Sequence, residues 1–138
     1  MSFKEKSAWI MVIAIGFSCL FYFSHVIAQI NNGILPSPST PAIITYTALQ
    51  VGIVIIGHII IAALKPKEAH IESDERERQL EEKASSWATV LFTVVISLAL
   101  ASYLIKPNGD LLFFTVFASL NLAHFADYLF QIYFHRKI

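Results

Sequence analysis

Four long apolar segments, at about 7–30, 42–64, 87–105 and 111–134, decide most of what this chain can become. Each is near the roughly 20 residues that a helix needs to cross the hydrocarbon core. A helix satisfies its own backbone N–H and C=O groups, which lipid cannot do, so each segment reads as a membrane-spanning helix. The breaks support this reading. "NNGILPSPSTP" holds Pro36, Pro38 and Pro41, and "KPNGD" holds Pro107, Asn108 and Gly109. The middle connection, 65–86, is charged instead. At 138 residues, 56% hydrophobic and 14% charged, the chain has room for one domain and is too apolar for an ordinary soluble one. The fold class is therefore all-α, a four-helix transmembrane bundle in a single integral membrane domain.

Basic residues set the direction. Lys4, Lys6, Lys65, Lys67, Arg76, Arg78, Lys83, Arg136 and Lys137 lie on one side of the four spans, and Lys106 alone lies on the other. The positive-inside rule puts both termini and the 65–86 connection in the cytoplasm, with the protein in the cytoplasmic (inner) membrane. Trp9, Trp87 and Tyr133 fall near the inner interface, and Tyr46 and Tyr103 near the outer, as aromatic belts require. Val26-Ile27-Ala28 has the look of a cleavage site, but the first segment is read as a retained span rather than a signal peptide. Zero net charge gives no reason to expect nucleic acid as a partner. A single cysteine, Cys19, excludes an internal disulfide and is read as an apolar filler.

The charged connection is more than a linker. Asp74 and Glu77 have the spacing of a helix N-cap and its N3 partner. Glu72/Arg76, Asp74/Arg78 and Gln79/Lys83 lie four apart and can meet on one helix face. No breaker follows before Lys106. One helix is expected from Asp74 through Ile105, about 48 Å long, extended into the cytoplasm beyond the hydrocarbon core. The bland reading of this charge run is a solvated helix face. The sharper one makes Asp74, Glu75, Arg76 and Arg78 a docking surface for a membrane or cytoplasmic protein.

Polar residues inside the spans fall on stripes. At 100° per residue, Asn121, His124, Tyr128, Gln131 and His135 share an arc of about 80°, with Asp127 at its edge. Ser18, Tyr22, His25 and Gln29 share about 60° of the first helix. Ser86, Thr89, Thr93 and Ser97 do the same on the third, and Thr47, Gln50, Gly57 and His58 cluster loosely on the second. Polar groups are costly in lipid, so these faces are expected to turn toward one another and bond.

His58, Asn121, His124, Asp127 and Gln131 form the expected buried polar cluster. At 1.5 Å per residue, His58 and Asp127 lie about 10 Å from the cytoplasmic ends of their spans and His124 about 15 Å. They can meet if the second and fourth spans touch; His25, near 25 Å, would need strong tilt. Packing glue is the plainest role for them. A proton- or cation-responsive site is the second, because histidine titrates near neutral pH and intramembrane acids line ion paths. A haem or metal held by His58, His124 and Asp127 is the third. No HExxH, CxxCH, Walker or G-x-S-x-G pattern accompanies them, so no catalytic residue and no cofactor is predicted.

"SDERERQLEEKASSWATVLFTVV" carries a resemblance. Asp74, Glu75, Arg76 and Glu77, with Glu82, Lys83 and Ala84 running into the third span, are similar to uncharacterised small four-helix bacterial membrane proteins. Those carry a DERD- or DERE-like motif after the second span. The resemblance implies a membrane location and no reaction. The function expected is that of a non-enzymatic accessory or regulatory protein. The rivals are a proton- or cation-coupled transporter subunit, which would require a dimer to enclose a path, and a haem or metal redox protein.

Overall fold

The computed structural model describes residues 2–64, 66–69 and 74–137. Its helices are α1 (Phe3–Asn31), α2 (Thr40–Leu64), the single turn α3 (Pro66–Ala69), α4 (Glu75–Ile105) and α5 (Gly109–Lys137). No strand occurs among the described residues. The four long helices are long and apolar enough to cross a membrane, and α5 is the least apolar of them. The chain is an all-α membrane protein. Expectations resting on Lys65 and Glu72, including the Glu72/Arg76 pair, lie outside the described residues.

Local chemistry fixes the helix ends. Ser2 caps α1 by accepting the Glu5 N–H at 3.1 Å. At the other end of α1, Ile34 N–H donates to Gln29 O and Gly33 N–H to Ile30 O. That is the Schellman pattern, and it needs a left-handed residue, which Gly33 supplies at φ 80°. Asp74 is the N-cap of α4 as expected, but its side chain accepts the Glu75 N–H at 2.8 Å instead of pairing with Glu77. Asn108 accepts the Leu111 N–H at 3.0 Å and starts α5. Ser37 in the first loop donates to Asp110 at 2.9 Å, which ties that loop to the start of α5.

The long helices pack in the order α2–α1–α5–α4, as an open row. Small residues bring α1 close to its neighbours on both sides. A Cβ on Gly57 of α2 would come within 2.6 Å of Ile10, and one on Gly16 within 3.3 Å of Phe125 of α5. Tyr22, Val26, Tyr46 and Phe114 form a buried cluster at the loop end, with Phe117 against it. Tyr22, Tyr46 and Phe117 meet edge to face, with ring centroids 5.1–5.8 Å apart. Ala8, Val12 and Ile132 join α1 to α5 toward the termini, and Leu80, Ala84 and Phe134 join α4 to α5.

Two expectations change here. The third long helix does not project past its neighbours. It has 31 residues against 29 in each of α1 and α5, and its first turns lie on α5 through Leu80 and Ala84. The polar stripes do not all turn inward either. Thr89, Thr93 and Ser97 are exposed, and each donates to the carbonyl four residues back, at 2.7–2.9 Å. A hydroxyl bonded to its own helix loses most of its aversion to lipid, so the stripe needs no partner.

Candidate functional site

The open row separates residues that the stripe argument brings together. α1 lies between α2 and α5, so His58 does not join His124 and Asp127. His58 is half-buried against α1 instead. Its Nδ1 lies 2.8 Å from Val54 O and its Nε2 2.8 Å from Ser7 Oγ. A carbonyl can only accept, so Nδ1 carries the proton. With Nδ1 as the donor, Nε2 can accept a hydrogen bond from the Ser7 hydroxyl. This bond fastens α2 to α1.

On α5, Asp127 is half-buried and accepts from Gln131 Nε2 at 3.2 Å, one turn along the same helix. His124 is exposed on the surface of α5, and His25 is exposed and bonded to Gln29 at 3.1 Å. Among the described residues no three His, Cys, Asp or Glu side chains are grouped to hold a metal. The two histidines offered as haem ligands stand on helices that do not pack along their lengths.

Asn121 is the member of the expected cluster that is firmly built in. It is buried, its Oδ1 accepts the Tyr46 hydroxyl, and its Nδ2 donates to Phe117 O at 2.8 Å. Tyr46, read from sequence as an interfacial aromatic, is 6% exposed. Its place near the start of α2 gave it to the belt, and nothing in that spacing marks the bond to Asn121. Ser18 is fully buried, and its hydroxyl has no partner among the described residues.

At the end of the molecule that carries both termini, charges knit the helices. Arg136 Nε donates to Glu5 Oε1 at 2.8 Å, and Lys4 lies 3.0 Å from Glu81. Asp74, Glu75, Arg76 and Arg78 are all exposed. Arg78 reaches Glu75 at 3.4 Å and Glu82 at 3.7 Å, in place of the expected Asp74.

A feature that sequence did not reveal dominates the other half of the molecule. α1 and α4 flank α5 without packing on each other, although Lys4–Glu81 joins them at one end. Between them runs an open cleft of about 750 Å³. Gly16, Cys19, Ala99, Ala118 and Ser119 are among the small residues lining it, between walls that include Leu20, Leu98 and Leu122. Its hydroxyls are already occupied: Ser102 donates to Ala99 O, Thr115 to Leu111 O and Ser119 to Thr115 O, at 2.7–3.0 Å. The cleft therefore offers shape and a mainly apolar surface, with its hydroxyls bonded to their own helices. Comparison with protein-family models, with curated proteins and with solved structures returned no match for the chain.

Proposed function

We propose that the protein is a non-enzymatic accessory protein that holds a transmembrane helix of a partner in the α1–α5–α4 cleft. The observation that carries this reading is the composition of that cleft. Glycine, alanine and serine let two helix backbones approach, which is how helices associate where no hydrophobic drive exists between them. The Ser102, Thr115 and Ser119 hydroxyls are turned to their own helices' carbonyls, which suits a packing surface. The basic residues favour an orientation with both termini in the cytoplasm of a bacterial cell, as does the resemblance around Asp74–Glu77. Asp74, Glu75, Arg76 and Arg78 then stand at the cytoplasmic surface as the partner's second contact.

The transporter reading has less support, because Asp127 and His58 bond to different neighbours and form no shared path. The haem or metal reading has less support for the same reason. A photo-crosslinking side chain placed at Leu98 or Leu122, irradiated in native membranes, tests the proposal. One discrete protein adduct, lost when Ala99→Trp fills the cleft and weakened by Arg78→Glu, is the expected result. Adducts with lipid alone would overturn it, and an adduct with a second copy of the chain would reassign the cleft to a homodimer.

A further inference from the structure

A second groove lies between α4 and α5 at the end where the termini gather, with a volume of about 750 Å³. Its base is apolar, built from Leu129, Phe130 and Phe134, and its mouth carries Lys83, Trp87, Tyr133 and Lys137. Trp87 and Tyr133 are 56% and 50% exposed, as aromatics at the edge of a bilayer are.

The two lysines have aromatic partners in place of carboxylates. Lys4, Arg78 and Arg136 each face a carboxylate. Lys83 and Lys137 form no ion pair among the described residues. Lys83 Nζ sits 4.9 Å from the Phe134 ring centroid, and Lys137 Nζ sits 5.1 Å from that of Tyr133 and donates to its hydroxyl at 2.6 Å. The Phe134 ring holds Lys83 and the Tyr133 hydroxyl holds Lys137, so both ammonium groups stand at the mouth of one groove beside neutral partners that attract a cation without neutralising it. Each keeps N–H donors to spare, and Tyr133, whose oxygen accepts from Lys137, keeps its O–H as a donor.

Two uncompensated cations and a hydroxyl above an apolar trough match one molecule in both halves. We propose that this groove binds a single anionic phospholipid, with its phosphate between Lys83 and Lys137 and an acyl chain along Leu129 and Phe130. Charge complementarity decides the occupant. A zwitterionic lipid brings its own cation to the same place, and a partner helix seated there would have to bury two exposed positive charges. Basic pockets between membrane helices recognise anionic headgroups by this arrangement. The inference is independent of the cleft between α1 and α4 and of which side of the membrane the termini face.

The chain has two tryptophans, so Trp9→Phe leaves Trp87 as the sole reporter at the groove. That variant, reconstituted in phosphatidylcholine vesicles, is titrated with brominated phosphatidylglycerol or brominated phosphatidylcholine, which quench on contact. Phosphatidylglycerol is expected to quench Trp87 at a roughly tenfold lower membrane fraction. Lys83→Gln with Lys137→Gln removes the preference, and Lys83→Arg with Lys137→Arg keeps it. Equal quenching by the two lipids overturns the proposal. So does a preference that survives the glutamine pair.

Discussion

Tyr46 on α2 donates a hydrogen bond from its hydroxyl to Asn121 on α5, joining two helices that meet through the aromatic cluster at the loop end rather than along their lengths. Both groups are buried, so the bond has no water to replace it. Polar bonds between membrane helices contribute about 0.6–2 kcal/mol. Tyr46→Phe is expected to lower stability by about 1 kcal/mol, read as a shifted midpoint in detergent unfolding. Asn121→Leu in the same background adds less than it does alone, because the two losses are one interaction. Fully additive losses in that double-mutant cycle would show that the two residues are not coupled.

The approach of α2 to α1 at Gly57 makes a prediction with its own control. A side chain there meets Ile10 at 2.6 Å, so Gly57→Val overpacks the seam and costs about 1–3 kcal/mol. Ile10→Ala makes room and recovers part of the loss. Gly52 is on the same helix, and a methyl group added there would have nothing within 4 Å, so Gly52→Ala is tolerated or mildly stabilising. Equal damage at the two glycines in thermal unfolding would contradict the packing described.

Ser18 gives a prediction of opposite sign. Its hydroxyl is buried without a partner among the described residues, which costs about 1–3 kcal/mol relative to a satisfied group. Ser18→Ala removes that oxygen at almost constant shape. A gain of about 1 kcal/mol is expected, seen as a higher unfolding midpoint. A loss would mean that the hydroxyl has a bond in the folded protein.

The ion pair between the chain's two ends is asymmetric. The Glu5 side chain is 10% exposed and that of Arg136 is 58% exposed. Arg136→Ala leaves a buried carboxylate without its cation, whereas Glu5→Gln leaves a guanidinium that water can solvate. The arginine change is expected to cost about 1–2 kcal/mol, less than a fully buried pair because the guanidinium is largely solvated. The glutamine change costs less. Stability measured for both variants at neutral pH checks the order.

Much of the fold was legible in the chain itself. Apolar run length marked the four helices, proline and glycine marked their breaks, and Asp74 marked the start of α4, because each of these acts within a few residues of chain. The candidate site was less legible. The stripe through Thr89, Thr93 and Ser97 has the same periodicity as a stripe that packs, yet each hydroxyl is satisfied by its own helix. Lys83 and Trp87 on α4, and Tyr133 and Lys137 on α5, stand four apart in each pair, and nothing in that spacing says the pairs share a groove.

The sequence by itself determined that four helices form, where they end and which of their side chains are polar, since backbone hydrogen bonding and transfer out of water act locally. Only the tertiary structure decided the neighbours. With α1 placed between α2 and α5, His58 finds Ser7 rather than Asp127, Asn121 finds Tyr46, and α4 is left apart from α1 with a cleft between them. The reason is close packing: contact depends on which small residues let two backbones approach, and at Gly16 and Gly57 that is a property of paired surfaces that no single helix contains.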